Sequence, residues 1–272
     1  MNTQIIGLVR FSYIAKNGFR NEFESLEDSR AFLFDPKRMA FRLKMLEEIC
    51  IRSMRNQTDQ DFKLIILVSL SLPTAYLNRV KAIVAPLKGA VVMVEPPKWM
   101  VQVTQTCFKK LIEPESDYVI NFRLDDDDAL AVDYIANIRE TARKLVAGGL
   151  ADEPTVIAHS KGIYWDIAKG EDGLRPKTEV KPLGLACAMI TKPDLPVSVF
   201  RWNHRDMGGY FPLFLLPGAP MFIRSLHAYG DSATVVPRWE TPSDTFDIAQ
   251  VLADRFCLDI KELTHGWQEI VG

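Results

Sequence analysis

Four consecutive aspartates, Asp125–Asp128, follow the apolar run YVINFRL at residues 118–124. Like charges this close repel one another, and the repulsion grows where the carboxylates lose contact with water. An exposed turn that also caps the following helix would explain one or two of them, because an acidic residue there contributes about 0.3–1 kcal/mol. Four at the end of a buried run favour the alternative, in which something positive lies among the carboxylates.

The spacing of the aspartates favours a divalent cation. Alternate side chains of an extended segment face the same way, so Asp125 and Asp127 are expected to point together and Asp126 to point away. Mn²⁺ and Mg²⁺ prefer oxygen ligands, and Mg²⁺ commonly takes one or two carboxylates plus phosphate oxygens of a substrate. The sequence therefore predicts a Mn²⁺ or Mg²⁺ site for a phosphate-bearing ligand, with Asp128 as a supporting residue or a helix cap.

Hydrophobic periodicity predicts the strands and helices that position the aspartate cluster. Strands are predicted over residues 4–13, 62–69, 89–95 and 117–124, with helices beginning near Pro36, Pro73, Met100 and Val132. This alternation is typical of an α/β fold with a mostly parallel central sheet flanked by helices. Ligands of such sheets bind beyond the carboxyl ends of the strands, where the aspartates lie, and this favours a site over a decorative turn.

The pattern changes near Thr155, and the second half is predicted to be mixed. Residues 155–170 and 178–193 are expected to form antiparallel strands with turns, and residues 202–232 to be loop with short elements. The stretch GYFPLFLLPGAPMFI at residues 209–223 is expected to pack around the site, with a peripheral contact to a membrane as the alternative. A last helix is predicted from Thr241 to Phe256.

Composition narrows the classes of function. The 272 residues carry a formal net charge of −2, and their basic residues are scattered, so a nucleic-acid partner is not expected. Four cysteines without paired spacing indicate buried thiols rather than disulfides. No apolar run reaches the roughly 20 residues that span a bilayer. No secretion signal is recognised at the N-terminus, and the protein is expected to be cytoplasmic.

Three segments carry a resemblance to a known family: LVRFSY at 8–13, QTDQDFKLIILVSLSLP at 57–73 and FRLDDDDAL at 122–130. With them the chain resembles the bacterial rhamnosyltransferases, whose members are similar to GT-A glycosyltransferases. The resemblance implies a GT-A-like nucleotide-diphospho-sugar transferase fold in one domain, residues 1–272. Residues 1–150 would bind the nucleotide sugar, and residues 151–272 would form the acceptor side.

The resemblance also implies roles for particular residues. Asp127 would be the main metal ligand, Asp125 would reach the metal or the ribose, and His227 would be a further ligand. A histidine that is simply satisfied in the core is the alternative for His227. The residues expected around the nucleotide sugar are Arg10, Phe11, Ser12, Arg123, Asp125 and Asp126. For the two arginines, which would stabilise the phosphates, the alternative is an ion pair with the acidic cluster.

The predicted function is therefore metal-dependent transfer of a sugar, rhamnose by the resemblance, from a nucleotide-diphosphate donor to a glycan, a lipid-linked glycan or another hydroxyl acceptor. Asp206, in WNHRDMGGY, is the candidate base for the acceptor hydroxyl, unless its loop is merely exposed. Two alternatives stay open. One is a metal-dependent phosphoryl-transfer or phosphate-hydrolysing enzyme, and the other is a nucleotide- or cation-binding module without catalysis.

Overall fold

The computed structural model describes residues 2–16, 23, 25–195, 197–230 and 246–267, and its main feature is a seven-stranded sheet. The eleven strands of the described chain are β1 Thr3–Phe11, β2 Lys63–Ser69, β3 Ala90–Glu95, β4 Tyr118–Asp125, β5 Ala129–Leu130, β6 Thr155–His159, β7 Lys161–Asp166, β8 Leu174–Thr178, β9 Cys187–Thr191, β10 Leu213–Leu216 and β11 Phe222–Leu226. The helices are α1 Leu26–Leu33, α2 Pro36–Met45, α3 Arg52–Arg55, α4 Thr74–Val84, α5 Met100–Lys109, α6 Tyr134–Ala147, α7 Ile248–Phe256 and α8 Ile260–Thr264.

The central sheet has the strand order β10-β6-β9-β4-β1-β2-β3. Strands β3, β2, β1 and β4 are mutually parallel, whereas β9 is antiparallel to both β4 and β6. The central strands β1, β2 and β4 are buried on both faces because they are mainly apolar: on β1, Ile5 and Val9 join one core cluster, and Ile6 and Leu8 join another. The predicted α/β class, with a mostly parallel sheet and a mixed second half, is confirmed.

A smaller sheet with the order β5-β11-β7-β8 lies beside the end of β4. Strand β11 pairs in parallel with β7 and antiparallel with β5, so it joins the second half of the chain to the segment that follows the aspartates. The prediction of loop with short elements over residues 202–232 is confirmed for its described part, where β10 and β11 are the short strands. Strand β10 is half-buried at the edge of the central sheet, and β11 is mostly buried.

Helix α2 carries the side chains that face the aspartates. Asp35 accepts a hydrogen bond from the Arg38 backbone and Pro36 occupies the first turn, as the sequence predicts. The helix passes into a π-helical segment, Leu46–Ile51, before α3. Helix α1 precedes it, in a region where the sequence analysis predicts no element.

The last predicted helix is confirmed as α7 over its described part, where Asp247 caps the N-terminus. Its predicted start at Thr241 lies outside the described residues. Within the described part of the chain, no helix is long and apolar enough to cross a membrane.

Candidate functional site

The aspartates form a tight turn between β4 and β5. Strand β4 ends at Asp125, and the backbone N–H of Asp128 donates to the carbonyl of Asp125 at 3.2 Å. Strand alternation stops there, so the expectation that Asp126 points away from its neighbours is wrong. The register of β1 against β4 places Arg10 directly beside Asp125.

All four aspartates line one cavity at the carboxyl ends of β1 and β4. Arginines from four elements of the chain line it as well: Arg10 of β1, Arg38 and Arg42 of α2, Arg123 of β4 and Arg224 of β11. Among the described lining residues, five guanidinium groups therefore face four carboxylates. The formal charge of the cavity wall is positive, although its most conspicuous sequence feature is acidic.

Arg42 is the cation of a buried arm of this cavity, which we define as Arg42, Asp126 and Asp127. Its guanidinium donates twice to Asp126, with Nε 3.1 Å from Oδ2 and Nη2 in contact with Oδ1, and Nη1 lies 2.5 Å from Asp127 Oδ2. The side chains are 9%, 1% and 11% exposed, respectively. A planar fork that binds two carboxylates at once fixes the turn firmly, because little rotational freedom is left to either partner.

An open arm, which we define as Arg10, Arg123 and Asp125, lies on the strand ends. Arg123 Nη2 donates to both oxygens of Asp125, at 3.2 and 3.1 Å, and Arg10 Nη2 lies 3.6 Å from Asp125 Oδ1. These side chains are 17–32% exposed. Burial alone would raise the pKa of Asp125, but the two guanidinium groups outweigh it and lower that pKa. The ion pairs expected for Arg10 and Arg123 are present, and both arginines still line the cavity.

Strand β11 and the residue after it hold the turn: His227 contacts Asp127, and the Ser225 backbone contacts Asp128. His227 Nε2 lies 2.8 Å from Asp127 Oδ2, and burial lowers the pKa of the imidazole, which favours the neutral ring. Burial opposes the ionisation of Asp127, but Arg42 and His227 outweigh it and lower the Asp127 pKa. Asp128 Oδ1 accepts from the Ser225 backbone N–H at 2.8 Å. Burial, then Asp127 and Asp125, raise the Asp128 pKa well above its usual range.

The carboxylates of the turn are already paired with groups of the chain. Among the described residues, no group of three or more His, Cys, Asp or Glu side chains is placed to hold a metal ion. Both oxygens of Asp125 and both of Asp126 accept from arginines, and Asp127 Oδ2 accepts from Arg42 and contacts His227. Guanidinium groups hold the positions where the sequence places Mn²⁺ or Mg²⁺. Metal binding by Asp125, Asp127 and His227 stays a prediction.

Phe11 and Ser12, which are both expected around the nucleotide sugar, differ in where they lie. Phe11 is fully buried within the larger core cluster and does not line the cavity, so the expectation for it is wrong. Strand alternation explains this, because Phe11 shares the core face with Val9. Ser12 does line the cavity; its φ of 43° lies in the left-handed region, and its Oγ accepts from Arg38 Nη1 at 3.0 Å.

Asp206 lies away from the aspartates. It is exposed on the 3₁₀ turn His204–Gly209 and lines a separate open hollow together with Val180, Arg205 and Tyr210. Its role as a base stays a prediction. His204 belongs to the same turn: burial lowers its pKa to about 3, the charges of Arg123, Arg205 and Arg224 lower it further, and Asp125 opposes them.

Three cavity arginines, Arg38, Arg42 and Arg224, are missing from the sequence-based site. A helical pattern could have found two of them, because Arg38 and Arg42 share a stripe with the buried residues Met45 and Ile49 at spacings of three and four. Charged residues on an apolar stripe need a partner, and the aspartates are the largest acidic cluster in the sequence. For Arg224, no sequence pattern indicates a place in the cavity.

Comparisons with solved structures show only distant likeness. S. aureus TarS 1-349 matches with 10% identity and a TM-score of 0.42, covering 82% of this chain and 60% of that one. The same protein in complex with UDP-GlcNAc gives 10% identity and 0.42, over 83% and 58%. A Bacillus anthracis protein described as "Putative Glucose-1-Phosphate Thymidylyltransferase" gives 9% and 0.42, over 81% and 88%. At such scores these likenesses assign neither a function nor a site.

The protein family is shown by sequence. No curated protein matches the chain significantly. The family described as "Putative rhamnosyl transferase" matches residues 4–239, which include β1, the aspartate turn and both sheets. A match over this much of the sequence establishes membership, so the chain belongs to this family of glycosyltransferases.

Proposed function

We propose that the protein transfers a sugar, rhamnose by the family description, from a nucleotide-diphosphate donor to a hydroxyl group of a glycan. The observation that carries the proposal is the cavity at the carboxyl ends of β1 and β4, where five arginines surround the aspartate turn. The edge of a parallel sheet is the usual place for such a ligand, and guanidinium forks suit phosphate oxygens. Family membership supplies the reaction class.

The donor diphosphate would lie against the open arm. Negative charge grows on the diphosphate as the bond to the sugar breaks, and fixed donors aimed at that charge lower the barrier. Arg10 and Arg123 are partly exposed in the cavity and are oriented by Asp125, so they meet this requirement. The buried arm would hold the turn in shape. The acceptor hydroxyl would attack the anomeric carbon, and the nucleoside diphosphate would leave.

The acceptor would approach from the hollow beside the 3₁₀ turn. Tyr210 is 63% exposed there, and an exposed aromatic face suits the apolar face of a sugar ring. Asp206 lines the same hollow and would take the proton of the acceptor hydroxyl. A glycan, free or lipid-linked, is the acceptor class proposed. A membrane contact through residues 209–223 is the weaker alternative, since Leu213–Leu216 of β10 and the first two residues of β11 are paired within the sheets.

The phosphoryl-transfer alternative has less support. Such an enzyme would need a carboxylate nucleophile at the end of β1, where Arg10, Phe11 and Ser12 stand. An inactive binding module would keep the same cavity, so only turnover separates it from a transferase.

Turnover is tested with dTDP-, UDP- and GDP-rhamnose, and with UDP-glucose as a non-rhamnose donor, each incubated with a bacterial glycan extract. We expect nucleoside diphosphate release that requires the extract and is fastest with one of the rhamnose donors. Arg123→Met should lose most of this activity. Arg143→Met is the matched control, because Arg143 lies exposed on α6 and only pairs with Glu140. Release of inorganic phosphate instead of nucleoside diphosphate would indicate the phosphate-hydrolysing alternative, and no release at all the binding module.

A further inference from the structure

Arginine side chains of the chain itself give the cavity its positive charge. Each oxygen of Asp125 and Asp126 accepts from an arginine of the wall, and one oxygen of Asp127 does so as well. The carboxylates thus act as anchors that fix guanidinium groups, and the excess of arginine over aspartate leaves a wall that attracts anions.

Arg123 is positioned by three separate features. Asp125 accepts from its Nη2, the ring of Phe200 lies 5.5 Å from its Cζ, and the backbone of Gly184 passes directly beside it. A Cβ added at Gly184 would lie only 2.6 Å from Arg123 Cζ and 2.8 Å from its Nε and Nη1. Glycine is therefore required at 184 for the guanidinium to lie where it does.

Three buried polar atoms of the lining residues are unpaired among the described residues. Arg123 Nε, Ser225 Oγ and His227 Nδ1 are buried and have no hydrogen-bond partner in the described structure. Buried polar atoms are normally paired, which favours a polar ligand of the cavity as their partner. Arg123 Nε is a donor and Ser225 Oγ can donate, which suits phosphate oxygens.

We infer that arginine takes the place of a divalent cation in this site, so that the donor's diphosphate binds to the chain without metal. The inference rests on the proposed function for the identity of the donor. Arg42 occupies the position between Asp126 and Asp127 where a cation would bind, and Arg10 and Arg123 face the ligand. A divalent cation at Asp127 would have to displace Arg42 or lie beside a like charge, and both are unfavourable.

The test is isothermal titration of the full chain with UDP, GDP and dTDP, first with excess EDTA and then with Mn²⁺. We expect one of the three to bind in both conditions, with Kd values within a factor of about two. Binding seen only with Mn²⁺ would overturn the inference and leave the proposed transferase standing. No binding in either condition would contradict the inference and the proposed donor class together.

Two variants connect the binding to Arg123. Arg123→Met should weaken binding in EDTA by about tenfold or more, because a charge-assisted contact to phosphate is lost. Gly184→Ala keeps every charge and should act in the same direction, because its methyl group displaces the guanidinium. Gly218→Ala is the matched control, since a Cβ there meets nothing within 4 Å. Unchanged binding in both Arg123→Met and Gly184→Ala would contradict the inference.

Mn²⁺ alone gives a readout that needs neither donor nor activity. The electron paramagnetic resonance signal of free Mn²⁺ should persist when stoichiometric protein is added, because guanidinium groups hold the carboxylates. Loss of that signal in the unmodified protein, and its persistence with Asp127→Asn, would overturn the inference.

Discussion

The buried arm and the open arm use the same two residue types in different surroundings. In the buried arm, Arg42 bridges Asp126 and Asp127 with side chains that are at most 11% exposed. In the open arm, Asp125 lies between Arg10 and Arg123, and the side chains are 17–32% exposed. Water therefore screens the charges of the open arm and hardly reaches those of the buried arm.

The difference separates what holds the turn from what faces the ligand. Removing one partner of a buried pair leaves an uncompensated charge in a poor solvent, which is far more costly than losing a screened pair. We therefore expect the buried arm to affect mainly stability, and the open arm mainly binding.

Arg42→Met should have the largest effect. Methionine keeps much of the apolar volume but leaves Asp126 and Asp127 without their cation, so we expect a loss of about 3–5 kcal/mol in the free energy of unfolding. Arg42→Lys should lose less, because one ammonium group can satisfy part of the charge but not the two-carboxylate fork. Urea unfolding followed by circular dichroism measures both.

A control variant of an exposed arginine and a double-mutant cycle test whether the loss of stability is specific to the buried arm. Arg79→Met removes an exposed arginine that pairs with Glu47, and should change stability by at most about 0.5 kcal/mol. Adding Asp126→Asn to Arg42→Met should restore part of the loss, since one unpaired carboxylate is then removed. A loss near 1 kcal/mol for Arg42→Met, with no recovery in the double variant, would show that the two arms do not differ.

Much of this site could be predicted from the sequence because it depends on local patterns. The strand ending at Asp125 follows from the apolar run before it, and the position of Arg10 beside it follows from two neighbouring parallel strands. The pairing of His227 with Asp127 joins residues 100 apart, and only the family resemblance brought them together.

The parts that were missed depend on where regular structure stops. Extended backbone through Asp126 predicts that its side chain faces away from its neighbours. In the structure, a turn begins after Asp125 instead. Arg42 was missed because an arginine in a helix normally lies in water. Its burial is caused by the aspartates it meets, and that contact between α2 and the β4 end is not visible in either segment alone.

Asp128 should give a smaller effect of opposite sign. Burial and the neighbouring aspartates raise its pKa, so it contributes stability that is present below the ordinary aspartate pKa and lost as pH rises towards the folded value. Asp128→Asn keeps an oxygen to accept from the Ser225 N–H and removes the buried charge. We expect this variant to gain about 1 kcal/mol at pH 8 and less at pH 5. Asp172→Asn, on an exposed turn, is the matched control, and a destabilised Asp128→Asn at pH 8 would contradict the reasoning.

Arg123→Met should have the smallest effect on stability although it belongs to the same cavity. Its pairing with Asp125 is partly screened, and methionine can keep the packing against Phe200, so we expect a change of about 0.5 kcal/mol in the same unfolding measurement. The same variant is expected to lose nucleoside diphosphate binding, as argued above. Arg42→Met and Arg123→Met thus form a pair of equal charge change with opposite outcomes. If Arg123→Met destabilised the protein as much as Arg42→Met, the guanidinium of Arg123 would be a structural counter-ion, and the ligand would need another partner in the cavity.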